Sequence, residues 1–85
     1  MDGYFIGTIL LFAGNYAPQY WASCEGQLMP IAQNEALYTI IGAQFGGDGR
    51  TNFALPDLRN AAPGGPNSVL HYIICVMGQY PNRTQ

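Results

Sequence analysis

Eight charged side chains in 85 residues most narrow what this chain can fold into. Charged residues are 9% of the sequence and lysine is absent, against roughly a quarter charged in an average soluble protein. The set is Asp2, Glu25, Glu35, Asp48, Asp57, Arg50, Arg59 and Arg83. A folded monomer of this length exposes on the order of 4,900 Å². Eight charges leave most of that area to apolar atoms, amides and backbone, and large uncharged patches drive association. Two neighbours covering roughly 800 Å² each would remove about a third of it. The charge count therefore predicts a closed trimer or a fibre rather than a monomer.

The length allows one domain, spanning 1–85. A chain this short buries only about 60–65% of its unfolded surface, so its stability is marginal unless a disulfide, a metal or oligomerisation adds to the core. Disorder does not fit 48% hydrophobic and 13% aromatic residues. A net charge of −2 with three arginines supplies no basic stripe for nucleic acid and no attraction to an anionic membrane. No apolar run reaches the ~18 residues of a membrane span. Phe5 to Ala13 lacks a basic flank and is broken by Gly7 and Thr8, so no signal peptide is recognised and synthesis in the cytoplasm is expected.

The pattern predicts an α+β domain, mostly β: several short strands, one helix and long glycine-rich loops. Tyr4 to Phe12 reads as a strand with Tyr4, Ile6, Thr8, Leu10 and Phe12 on one face. Trp21–Cys24 and Gln27–Ile31 read as two short strands turning at Glu25-Gly26, with Pro30 marking an edge or an end. Gln33 to Ile41 reads as a helix, with Leu37, Ile40 and Ile41 as its apolar stripe and Gly42 as a left-handed cap. Asn52–Leu55 reads as a strand and Asn60–Ser68 as an irregular connector. Ser68 to Gly78 reads as a strand, with Leu70, Tyr72, Ile74 and Val76 on one face. The first and last strands are apolar on both faces and are expected to pair centrally. Tyr4, Ile6, Leu10, Phe12, Leu70, Tyr72, Ile74 and Val76 are the candidate interface between copies.

No motif points to chemistry. The loop Gly46-Gly47-Asp48-Gly49-Arg50 lacks the lysine and the glycine spacing of a phosphate loop and follows a helix rather than preceding one, so it reads as a structural turn. Asp48 and Asp57 are too few for a calcium loop; a pairing of Arg50 or Arg59 with Asp57 is the expected use. His71 sits in an apolar strand with no nucleophile marked beside it. Cys24 and Cys75 lack metal-ligand spacing and leave two readings open, buried thiols or a disulfide. Tyr16, Tyr20 and Trp21 are candidate glycan contacts, with a core role open to Trp21. Asn82-Arg83-Thr84 fits a glycosylation sequon.

The order of the segments carries a resemblance. Gly-Thr-Ile-Leu-Leu-Phe-Ala-Gly-Asn-Tyr-Ala-Pro runs from Gly7 to Pro18, and Trp-Ala-Ser-Cys-Glu-Gly-Gln-Leu-Met-Pro-Ile from Trp21 to Ile31. Asn34-Glu35-Ala36-Leu37-Tyr38, Gly46-Gly47-Asp48-Gly49-Arg50-Thr51 and Phe53-Ala54-Leu55-Pro56-Asp57-Leu58-Arg59 follow. The set resembles the phage tail collar domain, including the bacterial proteins called microcystin-dependent. It is dense over 4–59, and Tyr72 to Pro81 looks like that family's closing segment. The resemblance implies a part of a tail fibre, a tail-like particle or a bacterial surface fibre. It also implies subunits that associate with themselves, commonly as trimers, and with other tail proteins, and it implies no catalytic residue and no cofactor. Members usually carry a long insert before the closing strand, where this chain has only Asn60–Ser68. The distal receptor-binding or metal-binding tip is therefore not carried over. Ala32 stands where relatives often place a serine that would cap the helix.

Overall fold

The computed structural model describes residues 3–81. Five strands and one helix are built from them, all strands pairing antiparallel, so the domain is α+β and mostly β. Strand β1 is Ile9–Phe12, β2 Trp21–Ser23, β3 Leu28–Pro30, β4 Asn52–Ala54 and β5 His71–Cys75; helix α1 is Glu35–Ile41, preceded by a 3-10 turn at Ile31–Gln33. The larger sheet has the order β1-β5-β2, and β3 pairs with β4 in a second sheet.

β5 is the central strand because its sequence lets it be buried on both faces. Ile73, Ile74 and Cys75 are each at most 1% exposed. The registers Ile9↔Ile74 and Ala22↔Ile74 put Ile74 over one face, and Leu10↔Ile73 and Trp21↔Cys75 put Ile73 and Cys75 over the other. On the first face lies the main core, where Ile6, Cys24 and Ile74 meet Leu37 and Ile41 of α1 and Phe53 and Leu55. On the second face Trp21, Ile73 and Cys75 form a smaller core, covered by Leu10, Phe12 and Ala17. Tyr4 stands edge-on to Trp21 at 5.3 Å. The period-two reading of the closing segment therefore places its two faces correctly, and the first and last strands do pair, but only the last is central: β1 lies at the edge of the sheet.

Three local expectations are corrected. The first strand does not run unbroken from Tyr4. Gly7 donates to the Cys75 carbonyl at 2.9 Å while Cys75 donates to the Thr8 carbonyl at 2.9 Å, so two residues oppose one. Gly7 has φ +94, the left-handed region that the first position of such a bulge requires. The extra residue reverses the alternation. Ile6 packs into the main core, whereas Leu10, two turns of the pleat later, packs under the smaller one.

The hairpin expected at Glu25-Gly26 does not form a two-stranded unit. Gly26 takes φ +77, but β2 leaves it to pair with β5 and β3 to pair with β4. An isolated bridge between Glu25 and Asp57 joins the two sheets at this point.

The helix starts later than expected. Asn34 is its N-cap residue, with its side-chain amide donating to the Pro30 carbonyl, so Ala32 lies within the preceding turn and not at the cap. Gly42 has φ 61 but ψ −155, an extended positive-φ conformation rather than a left-handed cap; its N–H still closes on the Tyr38 carbonyl at 2.8 Å.

Candidate interaction surface

The outward surface is apolar, as the charge count requires. Eleven large apolar or aromatic side chains are exposed among the described residues, and the accessible surface is 5537 Å². The candidate interface face does not supply most of them. Ile6 and Ile74 are buried in the chain's own core, at 7% and 0% exposure, and so are not surface residues. Leu10, Phe12, Leu70, Tyr72 and Val76 are half-buried, and only Tyr4 is exposed. The bulge at Gly7 is the reason: it turns Leu10 and Phe12 under the second face and leaves Ile9 and Leu11 outward, 40% and 42% exposed.

Among the described residues β1 is also a free edge. β5 uses the backbone of His71, Ile73 and Cys75 toward β1 and of Tyr72, Ile74 and Val76 toward β2, as the bonds Cys24 N–H to Tyr72 O (3.0 Å) and Val76 N–H to Tyr20 O (2.9 Å) fix. By the alternation of an antiparallel ladder, Leu10 and Phe12 then bond inward, and the N–H and C=O of Ile9 and Leu11 point away from the sheet. No charge and no proline guards this strand.

The three candidate glycan contacts separate. Trp21 is 6% exposed and lies beneath Tyr4, with no partner for its indole N–H among the described residues, so it is a core residue. Tyr16, 70% exposed, touches Phe12 edge-on at 6.4 Å. Tyr20, at φ +75, is strained for a residue with a side chain; its carbonyl accepts from both Val76 and Met77.

The glycine loop is knit around one carboxylate. Asp48 Oδ1 accepts the backbone N–H groups of Arg50 (2.8 Å), Thr51 (2.9 Å) and Asn52 (3.1 Å), and Oδ2 accepts the Thr51 hydroxyl. These donors favour the ionised form and hold the carboxyl far below the usual carboxylate range. Gly47 at φ +89 lets the loop lie against β4, where an added Cβ would stand 2.6 Å from the Phe53 Cα. Arg59 grips Asp57 through two side-chain bonds at 2.9 and 2.7 Å, which lower the Asp57 carboxyl to about 2.

Cys24 and Cys75 are both free and buried, one in each core, on opposite faces of the sheet. The disulfide reading is therefore not met. Burial pushes the Cys24 thiol up to about 11, the opposite of nucleophile activation. A small pocket of about 20 Å³ is lined by Ser23, Cys24, Glu25, Arg59 and His71 among others. No hydrogen bond joins Ser23 or Cys24 to His71, and His71 Nδ1 has no partner among the described residues. This pocket thus holds no assembled nucleophile and base. No group of three or more His, Cys, Asp or Glu residues that could hold a metal ion occurs among the described residues, nor any helix long and apolar enough to cross a membrane. The sequon Asn82-Arg83-Thr84 lies outside the described residues.

Comparison with curated proteins returns no match. A family model does match, the phage tail collar domain, over residues 7–63. That span holds β1 to β4, α1 and the glycine loop, and stops short of β5. With two thirds of its length in that match, the chain belongs to the phage tail collar domain family, a structural family of phage tails.

Proposed function

We propose that the chain is a structural, self-associating module of a phage tail fibre, a tail-like particle or a fibre-forming bacterial surface assembly, working by assembly and not by catalysis. It associates with itself, as a closed trimer or a filament, and through the assembled particle with other tail proteins. The observation that carries this reading is the surface. Six charged residues lie in the described chain, two of them neutralise each other in the Arg59–Asp57 pair, and eleven large apolar side chains face outward. A monomer would leave that area in water at a cost that burial between copies removes.

Light scattering with negative-stain electron microscopy on the purified chain tests it. Discrete oligomers or regular filaments are the expected result. A monodisperse monomer at high micromolar concentration overturns the reading.

A further inference from the structure

We propose that the groove between Ala13–Asn15 and Ser68–His71 is a binding site for one unit of a neutral sugar. The groove lies within a single chain, so the inference goes beyond the self-association proposed above and does not depend on it.

The groove is open to solvent and has a volume of about 470 Å³, within the range of small-ligand sites. Two segments far apart in sequence form it. Ala13, Gly14 and Asn15 follow β1, and Ser68, Val69 and His71 lead into β5. The Phe12↔His71 pairing of the ladder brings them side by side. No charged side chain lines the groove. Its polar side chains, Asn15, Ser68 and His71, share one property: each can both donate and accept a hydrogen bond. Ser68 Oγ accepts the Leu70 N–H at 2.9 Å, which leaves its O–H free to donate outward. His71 Nδ1 has no partner among the described residues, so no protein hydrogen bond at that nitrogen fixes the tautomer.

That set selects the chemistry of the ligand. A phosphate or carboxylate calls for Arg or Lys, and an ammonium calls for a carboxylate; the groove offers neither. A hydroxyl is itself both donor and acceptor, and a sugar carries several on one compact ring. The C–H face of such a ring needs an apolar surface beside the polar one. Tyr16, next after Asn15, supplies it: the ring is 70% exposed and is braced edge-on by Phe12. Val69, also exposed, adds a second apolar contact in the lining. Tyr20 lies at the other end of β5, where its carbonyl meets Val76 and Met77, and Trp21 is buried, so neither belongs to this site.

One open subsite of this kind binds in the millimolar range. An assembly that presents several copies to a surface of repeated sugars raises the avidity by about 10²–10⁴ with no new contact.

Saturation-transfer NMR on the whole chain tests the site, since it reads a weak ligand on a monomer and on a large assembly alike. The probes are the methyl glycosides of glucose, galactose, mannose and N-acetylglucosamine, with glucuronate and glucosamine as charged counterparts. Transfer to the ring protons of at least one neutral glycoside is expected. Asn15→Ala and Tyr16→Ala, both at exposed positions outside the two cores, should each weaken it roughly tenfold. Leu28→Ala, at an exposed apolar position on β3, should leave it unchanged. Transfer to none of the neutral glycosides, binding that survives both groove variants, or tighter binding of either charged sugar overturns the site. Light scattering on the same sample reads association separately. Oligomers that bind no sugar overturn the groove and leave self-association standing; a monomer that binds sugar through Asn15 and Tyr16 does the reverse.

Discussion

Ile9 and Ile74 sit directly opposite each other in the β1–β5 ladder, on the same face, and differ only in cover: 40% exposed against none. Truncating each to alanine therefore separates burial from β-propensity, which is the same loss in both. Ile→Ala removes three carbons, about 2.4 kcal/mol of transfer free energy at ~0.8 per methylene when burial is complete. At Ile74 the hole between α1 and the sheet adds a cavity cost, which brings the loss to about 4 kcal/mol, within the 2–5 range of such truncations. At Ile9 the exposed fraction scales the transfer loss down to about 1.4 kcal/mol, and solvent fills the gap. An 85-residue domain holds roughly 4–13 kcal/mol in all. Ile74→Ala therefore uses much of its stability and Ile9→Ala little. Urea unfolding, followed by the fluorescence of Trp21, the one tryptophan and a buried one, reads both. Runs at a concentration where the wild type is monomeric keep association out of the numbers. Equal midpoint shifts for the two variants would refute the placing of the main core over β5 and away from β1.

Gly47→Ala drives a Cβ to 2.6 Å from the Phe53 Cα at φ +89, and should cost about 3 kcal/mol, roughly 12 °C or more in the thermal midpoint. The Asp48 and Asp57 carboxyls are both held below their ordinary values by hydrogen bonds. Their folded pKa is depressed, so their contribution is present above about pH 4 and is lost as pH falls toward and below 2. Asp57→Asn and Asp48→Asn should each flatten the acid limb of a stability–pH curve, and an unchanged limb would show that these bonds do not persist in solution. Thiol titration should find no reactive cysteine in the native chain at neutral pH and two after denaturation, since Cys24 and Cys75 are buried and unjoined; one mole of disulfide would contradict the two-core arrangement.

Much of this fold could be read in the sequence wherever a segment's pattern was regular. The doubly apolar run around Ile73–Cys75 reads as a central strand, and it is one, because alternation over five residues fixes two faces wherever the strand lies. Leu37, Ile40 and Ile41 read as the buried stripe of the helix for the same reason, at a period of 3.6. What the pattern missed came from single residues with nonlocal partners. The bulge at Gly7 exists because Thr8 and Cys75 bond across the sheet, and it moved the exposed apolar face of β1 from Leu10 and Phe12 to Ile9 and Leu11. Gly7 itself was the available signal, a glycine inside a strand pattern. The partner exchange at Gly26 carries no such signal. Whether two adjacent strands pair with each other or with β5 and β4 depends on which core each side chain can enter, and only tertiary packing decides it.

One consequence of the order β1-β5-β2 concerns how the chain is made. The strand that both neighbours need follows them in sequence by some fifty residues. Until His71–Cys75 has left the ribosome, β1 and β2 have no ladder partner and the two cores have no wall between them. A nascent chain therefore carries its most apolar strand unpaired and open to its neighbours on the polysome. Closure of so distant a pairing is slow on entropic grounds. The same order means that the register of β5 does not depend on the length of the segment between Arg59 and Leu70. β5 is held in register by β1 and β2, not by the connector that delivers it. Chain can be added or removed at that point, and the sheet will still know where its middle strand belongs.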